Sequence, residues 1–360
     1  MDPNVVLPLS SSLLSLVFAV FLLDQWRERR RPYQLIWTIG MLWYGLSAGT
    51  EFVGGAFGWS DPLYRTWYLI GAVWVAGWLG LGTAFLLGRT RFGYAFAVSL
   101  VLAGIFTALS QARYDYPESG SAPILYFVIA LVVAAAIAVA TYRGSDRWPI
   151  LAALVIVGGS AVSVVLMALV SLAPPGYALD PATHIPTGEL FPGYLRLLTP
   201  FFNVTGAFAL SLGALYSAYV FMPKRRLIRY SLARGDAYLE LGDRRVVGSL
   251  AGVLPVLLLA PLAAVAIVVN AVVSLPAALA ALVRGRLNSR VPATILIAVG
   301  GLIPAVTSGA NRFGATSGFF VGEFLGVLFL FSGFLVSIEV FREIRVPFTH
   351  IVLRARHGEA

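Results

Sequence analysis

The sequence predicts an all-α integral membrane protein with about nine to eleven membrane segments. Hydrophobic residues make up 59% of the chain and charged residues only 12%, whereas about a quarter of the residues in a soluble domain are charged. Apolar runs long enough to cross a bilayer, about 20 residues each, recur along the chain with short basic clusters between them. A soluble fold could not bury so much apolar surface.

Nine of these runs have the length of a single crossing. They lie at 5–23, 33–57, 64–88, 92–110, 123–142, 149–172, 198–222, 291–309 and 317–340. The first run lacks the basic start of a cleaved signal peptide and ends in the cluster Arg27–Arg31. This pattern indicates an uncleaved anchor with the N-terminus outside. The seventh run then ends in the cytoplasm, and the C-terminus is also cytoplasmic.

Composition divides the chain into three parts. Residues 1–222 are predicted to form a seven-helix transmembrane bundle. Residues 223–247 form a polar cytoplasmic loop rich in arginine. It is a plain topological signal, an interfacial helix that holds anionic lipid, or a docking surface for a cytoplasmic partner. Residues 248–360 form a C-terminal membrane domain with a short basic tail.

The apolar run at 248–283 has two interpretations. As one straight helix it would be about 54 Å long, too long for an untilted crossing, and it contains Pro255, Pro261 and Pro276. A proline-broken hairpin would return the chain to the cytoplasm, leaving all but four of the 26 Lys and Arg residues on that side. A single crossing would give a much weaker asymmetry. The positive-inside rule therefore favours the hairpin.

The charge of the chain does not indicate nucleic-acid binding. The formal net charge is +9, but the basic residues occur in short clusters between apolar runs, which is how membrane topology is encoded. We expect membrane lipids as neighbours, with other membrane subunits or a second copy of the chain as further partners. The proposed location is the plasma (inner) membrane of a prokaryote.

The sequence lacks the residues that thiolate chemistry, haem ligation and a Schiff base within the membrane would need. There is no cysteine, and the three histidines, His184, His350 and His357, lie outside the apolar runs, which argues against thiolate chemistry and haem ligation within the bilayer. The single lysine, Lys224, lies in the basic loop, so it is badly placed for a Schiff base between helices. We predict no metal and no resident cofactor, and an enzyme is the less favoured class.

Glu51 and Glu323 form the first candidate site. Each lies about 9 Å in from the outer end of its helix, where ionisable groups tend to face a bundle interior or a wet cavity. As a functional site the pair would bind a cation or proton, with Arg65, Arg196 and Arg312 balancing the charge. The alternative is two structural ion pairs, Glu51 with Arg65 and Glu323 with Arg312.

Trp67, Trp74 and Trp78 form the second candidate site. Their spacing of i, i+7 and i+11 puts them close to one helical face, among glycines that leave room beside them. Such a wall suits a quinone, a carotenoid or a lipid tail. The alternative is interfacial anchoring and ordinary core packing, since tryptophan belts are common in membrane proteins.

Two further features bear on transport. Asn203, near the start of the seventh run, could line the same outer cavity as the carboxylates. Gly300, Gly301 and Pro304 interrupt the run at 291–309, and secondary transporters use broken helices to bind ions. The alternative is a static proline kink.

The function predicted first is that of a non-catalytic multi-pass protein, a binding or scaffold subunit of a larger membrane assembly. It would pack an apolar ligand, a lipid or a partner helix against the Trp- and Gly-rich second and third helices, 33–57 and 64–88. The alternative is a secondary transporter with an outward-facing carboxylate site and a broken helix near Pro304. An enzyme acting on lipids ranks third.

Overall fold

The computed structural model is a bundle of long α-helices with little sheet, as predicted. It describes residues 2–312, 318–336, 343–345, 347–349 and 352–355. The long helices are α1 Pro3–Arg29, α2 Pro32–Phe57, α5 Gly93–Tyr114, α6 Ala122–Tyr142, α7 Trp148–Leu169, α9 Leu198–Phe221, α10 Val253–Val283, α11 Arg290–Arg312 and α12 Phe319–Val336. The third predicted crossing consists of α3 Asp61–Trp67, a π-helical segment Tyr68–Trp74 and α4 Val75–Leu86. A one-turn helix, α8 Gly193–Arg196, precedes α9.

The helices have the length and the apolar composition expected of a multi-pass membrane protein. Within the described residues, nine helices are long and apolar enough to cross a bilayer. They include α10 but not α2, which carries Gln34, Thr38 and Glu51 and buries all three. The predicted crossing at 317–340 corresponds to α12, and its last residues, 337–340, lie outside the described part of the chain.

The bundle has two chemically different ends. At one end, called the cap end, the loop 170–192 covers the helices: Asn4 donates to the carbonyl of Thr183, 3.0 Å away, and Tyr64 donates its hydroxyl to the carbonyl of Thr187. Within the loop, Thr183 donates to Asp180 and holds the pKa of that carboxyl below its ordinary value. The other end, called the basic end, has the arginine clusters that follow α1, α4 and α6.

The predicted hairpin at 248–283 is a single helix, α10, and it does not cross the bundle. At its start the Gly252 N–H donates to the hydroxyl of Tyr142, the last residue of α6. Halfway along, Asn270 contacts Tyr219 near the end of α9, and near its end Ala278 packs with Val291 at the start of α11. All three contacts lie at the basic end, so α10 runs across that end of the bundle.

The charge count and the structure agree that the chain returns to the basic end before α11, but they differ on whether it returns through a hairpin. Because α10 begins and finishes at the same end, Arg284 and Arg286 lie on the side where α9 finishes, as the positive-inside rule demands. The return does not need a hairpin, since a helix of about 46 Å fits across the bundle. Pro261 and Pro276 lie within the continuous helix.

The predicted basic loop is instead a small antiparallel sheet beside α10. Its strands are β1 Ile228–Ala233, β2 Asp236–Leu241 and β3 Arg244–Leu250, in the order β1-β2-β3. The buried Ala237 of β2 shares a core with Val256 and Leu259 of α10. A second pair, β4 Glu343–Arg345 and β5 Val352–Ala355, lies in the C-terminal tail.

The first and last helices share one hydrophobic core. Phe18 of α1 packs edge-on against Phe334 of α12, with ring centroids 4.8 Å apart, and Met41, Leu79 and Leu210 belong to the same cluster. The predicted seven-helix bundle and the predicted C-terminal membrane domain are therefore packed together at this core.

The glycines of the second and third crossings serve contacts within the chain. A side chain at Gly40 would meet Leu79 at 2.8 Å, and one at Gly45 would meet Leu16 at 2.9 Å. Gly80 lies against the backbone of Gly206 on α9, where an added Cβ would come within 2.6 Å of Gly206 Cα. Small residues allow these close helix crossings, so the glycines do not by themselves indicate a partner subunit.

Candidate functional site

The two predicted carboxylates come together between α2 and α12. Glu51 lies two turns before the end of α2 and is 1% exposed, while Glu323 lies in the second turn of α12. Their carboxyl groups are near enough to interact directly. The sequence predicted the depth of each residue, and the fold brings the two residues into contact.

Neighbouring side chains hold the pair in place. Trp67 donates its indole N–H to Oε1 of Glu51 over 2.7 Å, and Tyr44 donates its hydroxyl to the backbone carbonyl of Glu323, also over 2.7 Å. Oε2 of each glutamate is buried and receives no hydrogen bond from the described residues. A proton held between the two carboxyl groups would supply the missing donor. Two ionised carboxylates in contact and out of water would repel each other strongly.

The predicted ion pair between Glu51 and Arg65 is wrong. Arg65 pairs with Asp61, one turn earlier on α3, and donates to the carbonyl of Met167. Local geometry favours this result, because residues four apart on a helix face each other. Arg196 stacks on Tyr116, with its guanidinium carbon 4.2 Å from the ring centroid. The side chain of Arg312, the other predicted partner, lies outside the described part of the chain.

The three predicted tryptophans do not form one wall. Trp67 faces Glu51, whereas Trp74 and Trp78 donate their indole N–H groups to Ser163 and Ser160 of α7, over 2.9 and 3.2 Å. The indole of Trp43 on α2 packs on that of Trp74, with centroids 4.9 Å apart. These indoles join helices to one another, which supports the packing interpretation.

The π-helical segment Tyr68–Trp74 explains the separation. Its hydrogen bonds join residues i and i+5 instead of i and i+4, so each turn contains more residues than an α-helical turn. Side chains that would share one face of a continuous α-helix therefore point in different directions before and after the segment. The seven-residue spacing that puts Trp67 above Trp74 on an α-helix therefore fails here. Periodicity in the sequence carries no signal for such a segment.

The structure gives different outcomes for Asn203 and for the predicted helix break near Pro304, the two features that bear on transport. Asn203 lies in the second turn of α9, and its amide oxygen is buried with no hydrogen-bond partner in the described residues. No hydrogen bond in the described structure joins Asn203 to the glutamates. Helix α11 is continuous through Pro304, whose ring fills the space beside Gly326 on α12. The predicted broken helix is therefore wrong, and Pro304 serves helix packing.

A cavity at the basic end is the feature that the sequence did not indicate. It has a volume of about 490 Å³ and lies among α1, α2, α4, α9, α11 and α12. Its inner part is apolar, with Met41, Leu79 and Leu210 from three different helices. Sequence reasoning had no means of finding it, since each of the six helices contributes only a few residues.

The mouth of the cavity is polar and basic. Arg29 at the end of α1 and Arg290 at the start of α11 both line it, together with the hydroxyl-bearing Tyr33 and Thr90. Arg290 stacks on Phe221 with its guanidinium carbon 4.4 Å from the ring centroid. No aspartate or glutamate occurs among the described residues that line the cavity. The cavity therefore combines an apolar interior with a polar end, where two arginines and several hydroxyl groups lie.

Comparisons of the chain with protein-family models, with curated proteins and with solved structures find no match.

Proposed function

We propose that this chain is a non-catalytic multi-pass membrane protein that binds an apolar ligand inside its helical bundle, in the cavity at the basic end. The observation that carries the proposal is the cavity itself. Its volume of about 490 Å³ falls in the range of small-molecule sites, roughly 300–1,000 Å³, and such sites are mostly apolar with a few polar groups. The proposed location is the inner membrane of a prokaryote.

The second and third crossings contribute to this cavity, though through other residues than the sequence indicated. Trp37 and Met41 come from α2, and Leu79 and Leu86 from α4. The rest of the apolar lining mixes aliphatic side chains with aromatic rings, among them Phe18 and Phe334. Such a lining suits either an aliphatic chain or the ring of a quinone or carotenoid.

Quenching of tryptophan fluorescence tests the proposal. Trp37 lines the cavity, so a fatty alcohol brominated at its terminal carbon should quench Trp37 in the purified protein in nanodiscs. Subtracting the signal of a Trp37→Phe variant isolates this contribution. A Ser217→Phe variant, which fills the cavity, should lose the quenching, and Thr66→Phe, exposed at the cap end, should retain it. Equal quenching of Trp37 in the unmodified protein, the Ser217→Phe variant and the Thr66→Phe variant would contradict the proposal.

The carboxyl pair favours a second function, that of a proton-coupled secondary transporter. Its supporting observation is the contact of two carboxyl groups whose Oε2 atoms are both buried with no hydrogen-bond donor among the described residues. Such residues within membrane helices commonly belong to proton relays. The broken helix predicted near Pro304 gives this function no support, since α11 is continuous.

Proton flux distinguishes the second function from the first. Proteoliposomes loaded with a pH-sensitive dye should acidify after an external acid pulse if the pair conducts or exchanges protons. Glu51→Gln and Glu323→Gln should both abolish that response, while Glu189→Gln, exposed in the cap loop, should leave it unchanged. Flux that persists in both pair variants would exclude this role for the two glutamates.

A further inference from the structure

Helix α10 is apolar on all sides, although it lies across the basic end of the bundle. Its 31 residues include no charged residue, no glycine and no aromatic residue. One face packs on the bundle, where α10 contacts α5, α6 and α9. Because a helix that is hydrophobic all round is normally buried, the opposite face of α10 also needs an apolar environment.

The outward face of α10 is a stripe of large aliphatic side chains. Steps of three, four and seven residues align these side chains along one side of the helix. Six of them, between 50% and 67% exposed, are Leu254, Leu258, Leu262, Val265, Val272 and Leu279. The stripe extends over about 38 Å, most of the length of α10.

The composition of the two faces distinguishes a lipid from a partner helix. The buried face carries Ala260, Ala263, Ala266 and Ala278, and such small residues allow helices to approach each other closely in a membrane. The outward stripe consists of leucine and valine. It lacks these small residues and also the Trp, Tyr and Arg side chains that dominate binding between proteins. This composition is suited to the acyl chains of lipid.

The polar side chains of α10 belong to its buried face. Asn270 and Ser274 are both buried, and they accept hydrogen bonds from the chain that follows α9. The Leu227 N–H donates to Asn270 over 2.9 Å, and the Arg225 N–H donates to Ser274 over 2.8 Å. These bonds leave the stripe free of hydrogen-bonding side chains, and they fix residues 225–228 alongside the second half of α10.

Exposed arginines lie beside the stripe and at its end. Arg225 and Arg226 belong to the segment that is fixed alongside α10, and Arg284 and Arg286 follow its last turn. Neither residues 223–235 nor residues 284–290 include an aspartate or a glutamate. Clusters of basic residues next to apolar membrane segments attract the anionic headgroups of the cytoplasmic leaflet. The surface around α10 therefore combines the two chemical properties of a surface that binds anionic lipid.

We propose that α10 lies within the lipid leaflet at the basic end, with its aliphatic stripe against acyl chains and with Arg225, Arg226, Arg284 and Arg286 on anionic headgroups. The partner of this surface is an anionic lipid membrane. The small sheet β1–β3, which Asn270 ties to α10, is thereby held at the membrane surface. This inference goes beyond the proposed function and does not depend on what occupies the cavity.

The accessibility of nitroxide labels tests the position of the stripe. Single cysteines replace Leu258 or Leu279 in this cysteine-free chain, and the labelled protein is placed in nanodiscs of phosphatidylcholine and phosphatidylglycerol. Oxygen concentrates in lipid, whereas a neutral nickel chelate concentrates in water. Both labels should collide more with oxygen than with the chelate, as should a label at Val132 in the middle of α6. A label at Asp146, exposed between α6 and α7, should show the reverse.

Two results of the labelling would overturn the proposal. More collisions with the nickel chelate at both 258 and 279 would place the stripe in water. Few collisions with either reagent would show that protein covers the stripe, which in the purified sample means a second copy of the chain. Because Leu258 and Leu279 are exposed, replacing them opens no cavity in the bundle.

Lipid selectivity tests the arginines. Spin-labelled phosphatidylglycerol and spin-labelled phosphatidylcholine are compared by the fraction of each lipid that is motionally restricted at the protein. We expect the anionic lipid to associate at least about twofold more strongly, since one arginine near an anionic surface favours binding by up to about fivefold. The preference should fall as the salt concentration rises. Equal association of the two lipids would contradict the proposed contact with anionic headgroups.

Matched variants assign the preference to particular arginines. The double variant Arg225→Gln with Arg226→Gln should reduce it, and so should Arg284→Gln with Arg286→Gln. Arg225→Lys with Arg226→Lys should retain it, because attraction to a charged surface depends on the charge and not on the shape of the guanidinium group. Arg113→Gln removes a positive charge from the cap end and should leave the preference unchanged. A preference that survives in both glutamine double variants would exclude these four arginines.

Discussion

The side-chain amide of Asn270 on α10 donates a hydrogen bond to the hydroxyl of Tyr219 near the end of α9, over 3.3 Å. This contact ties the middle of α10 to the basic end of the bundle. A helix that crossed the membrane could not meet α6 at its start, α9 at its middle and α11 at its end, because all three meet it at one end of the bundle. The course of α10 therefore sets the topology of everything that follows it.

Cysteine labelling checks this topology directly, since the chain has no cysteine of its own. A cysteine in place of Arg286, after α10, should react with a membrane-impermeant reagent from the same side as one in place of Asp146, between α6 and α7. A cysteine in place of Glu118, at the cap end, should react from the opposite side. Labelling of position 286 together with position 118 would show that α10 crosses.

Asn270 should be essential for holding the small sheet on α10. Its carbonyl oxygen accepts from the backbone N–H groups of Leu227 and Ile228, over 2.9 and 3.0 Å, and its amide donates to the carbonyl of Ile228 over 2.7 Å. Asn270→Leu leaves these buried groups unpaired, which costs about 1–3 kcal/mol for each group. We expect faster proteolysis within 223–247, whereas Val268→Ala, on the exposed face of α10, should show the cleavage rate of the unmodified protein.

Replacement of Glu51 should depend on what replaces it. Glu51→Gln retains an acceptor for the indole N–H of Trp67 and adds a donor towards Glu323, so the midpoint of thermal unfolding should change little. Glu51→Leu leaves both Trp67 and Glu323 without a partner in a buried site and should destabilise the protein by about 1–3 kcal/mol. Thermal unfolding in mild detergent measures the difference. Equal losses in the two variants would show that the hydrogen bonds at this site carry no stability.

The crossing of α4 and α9 at Gly80 and Gly206 should tolerate no larger side chain. A Cβ at Gly206 would overlap the backbone of Ala76, so Gly206→Leu must separate the two helices, at a cost of at least about 1–3 kcal/mol. We expect little monodisperse protein on size-exclusion chromatography. Gly158→Leu is the control, because nothing lies within 4 Å of that position on α7, and a normal elution profile for Gly206→Leu would contradict the close crossing.

Much of the architecture could be predicted from composition and periodicity. Apolar runs of membrane length identify helices reliably, because an apolar chain segment in lipid must satisfy its backbone hydrogen bonds internally. The distribution of arginine also predicted correctly that the chain returns to the basic end before α11. Neither signal could distinguish a hairpin from a helix lying across the bundle, since both bring Arg284 to the same place.

The candidate site could be predicted only in part, because the contacts of its residues depend on helix packing and on local features that the sequence pattern does not show. The depth of Glu51 and Glu323 follows from their distance to the helix ends, but their contact depends on α12 returning beside α2. The pairing of Arg65 with Asp61 instead of Glu51 was decided by a neighbour one turn away. The separation of Trp67 from Trp74 came from a π-helical segment, whose altered register is absent from any pattern based on 3.6 residues per turn.

The sequence by itself determined that this chain is a multi-pass helical protein with one strongly basic end, because length, hydropathy and charge act on each segment separately. Tertiary structure alone decided what the helices enclose. The cavity between Arg29 and Arg290 is built from six helices that are distant in sequence, and the carboxyl pair joins the second helix to the last. Such sites depend on the relative positions of whole helices, which packing sets and local sequence does not encode.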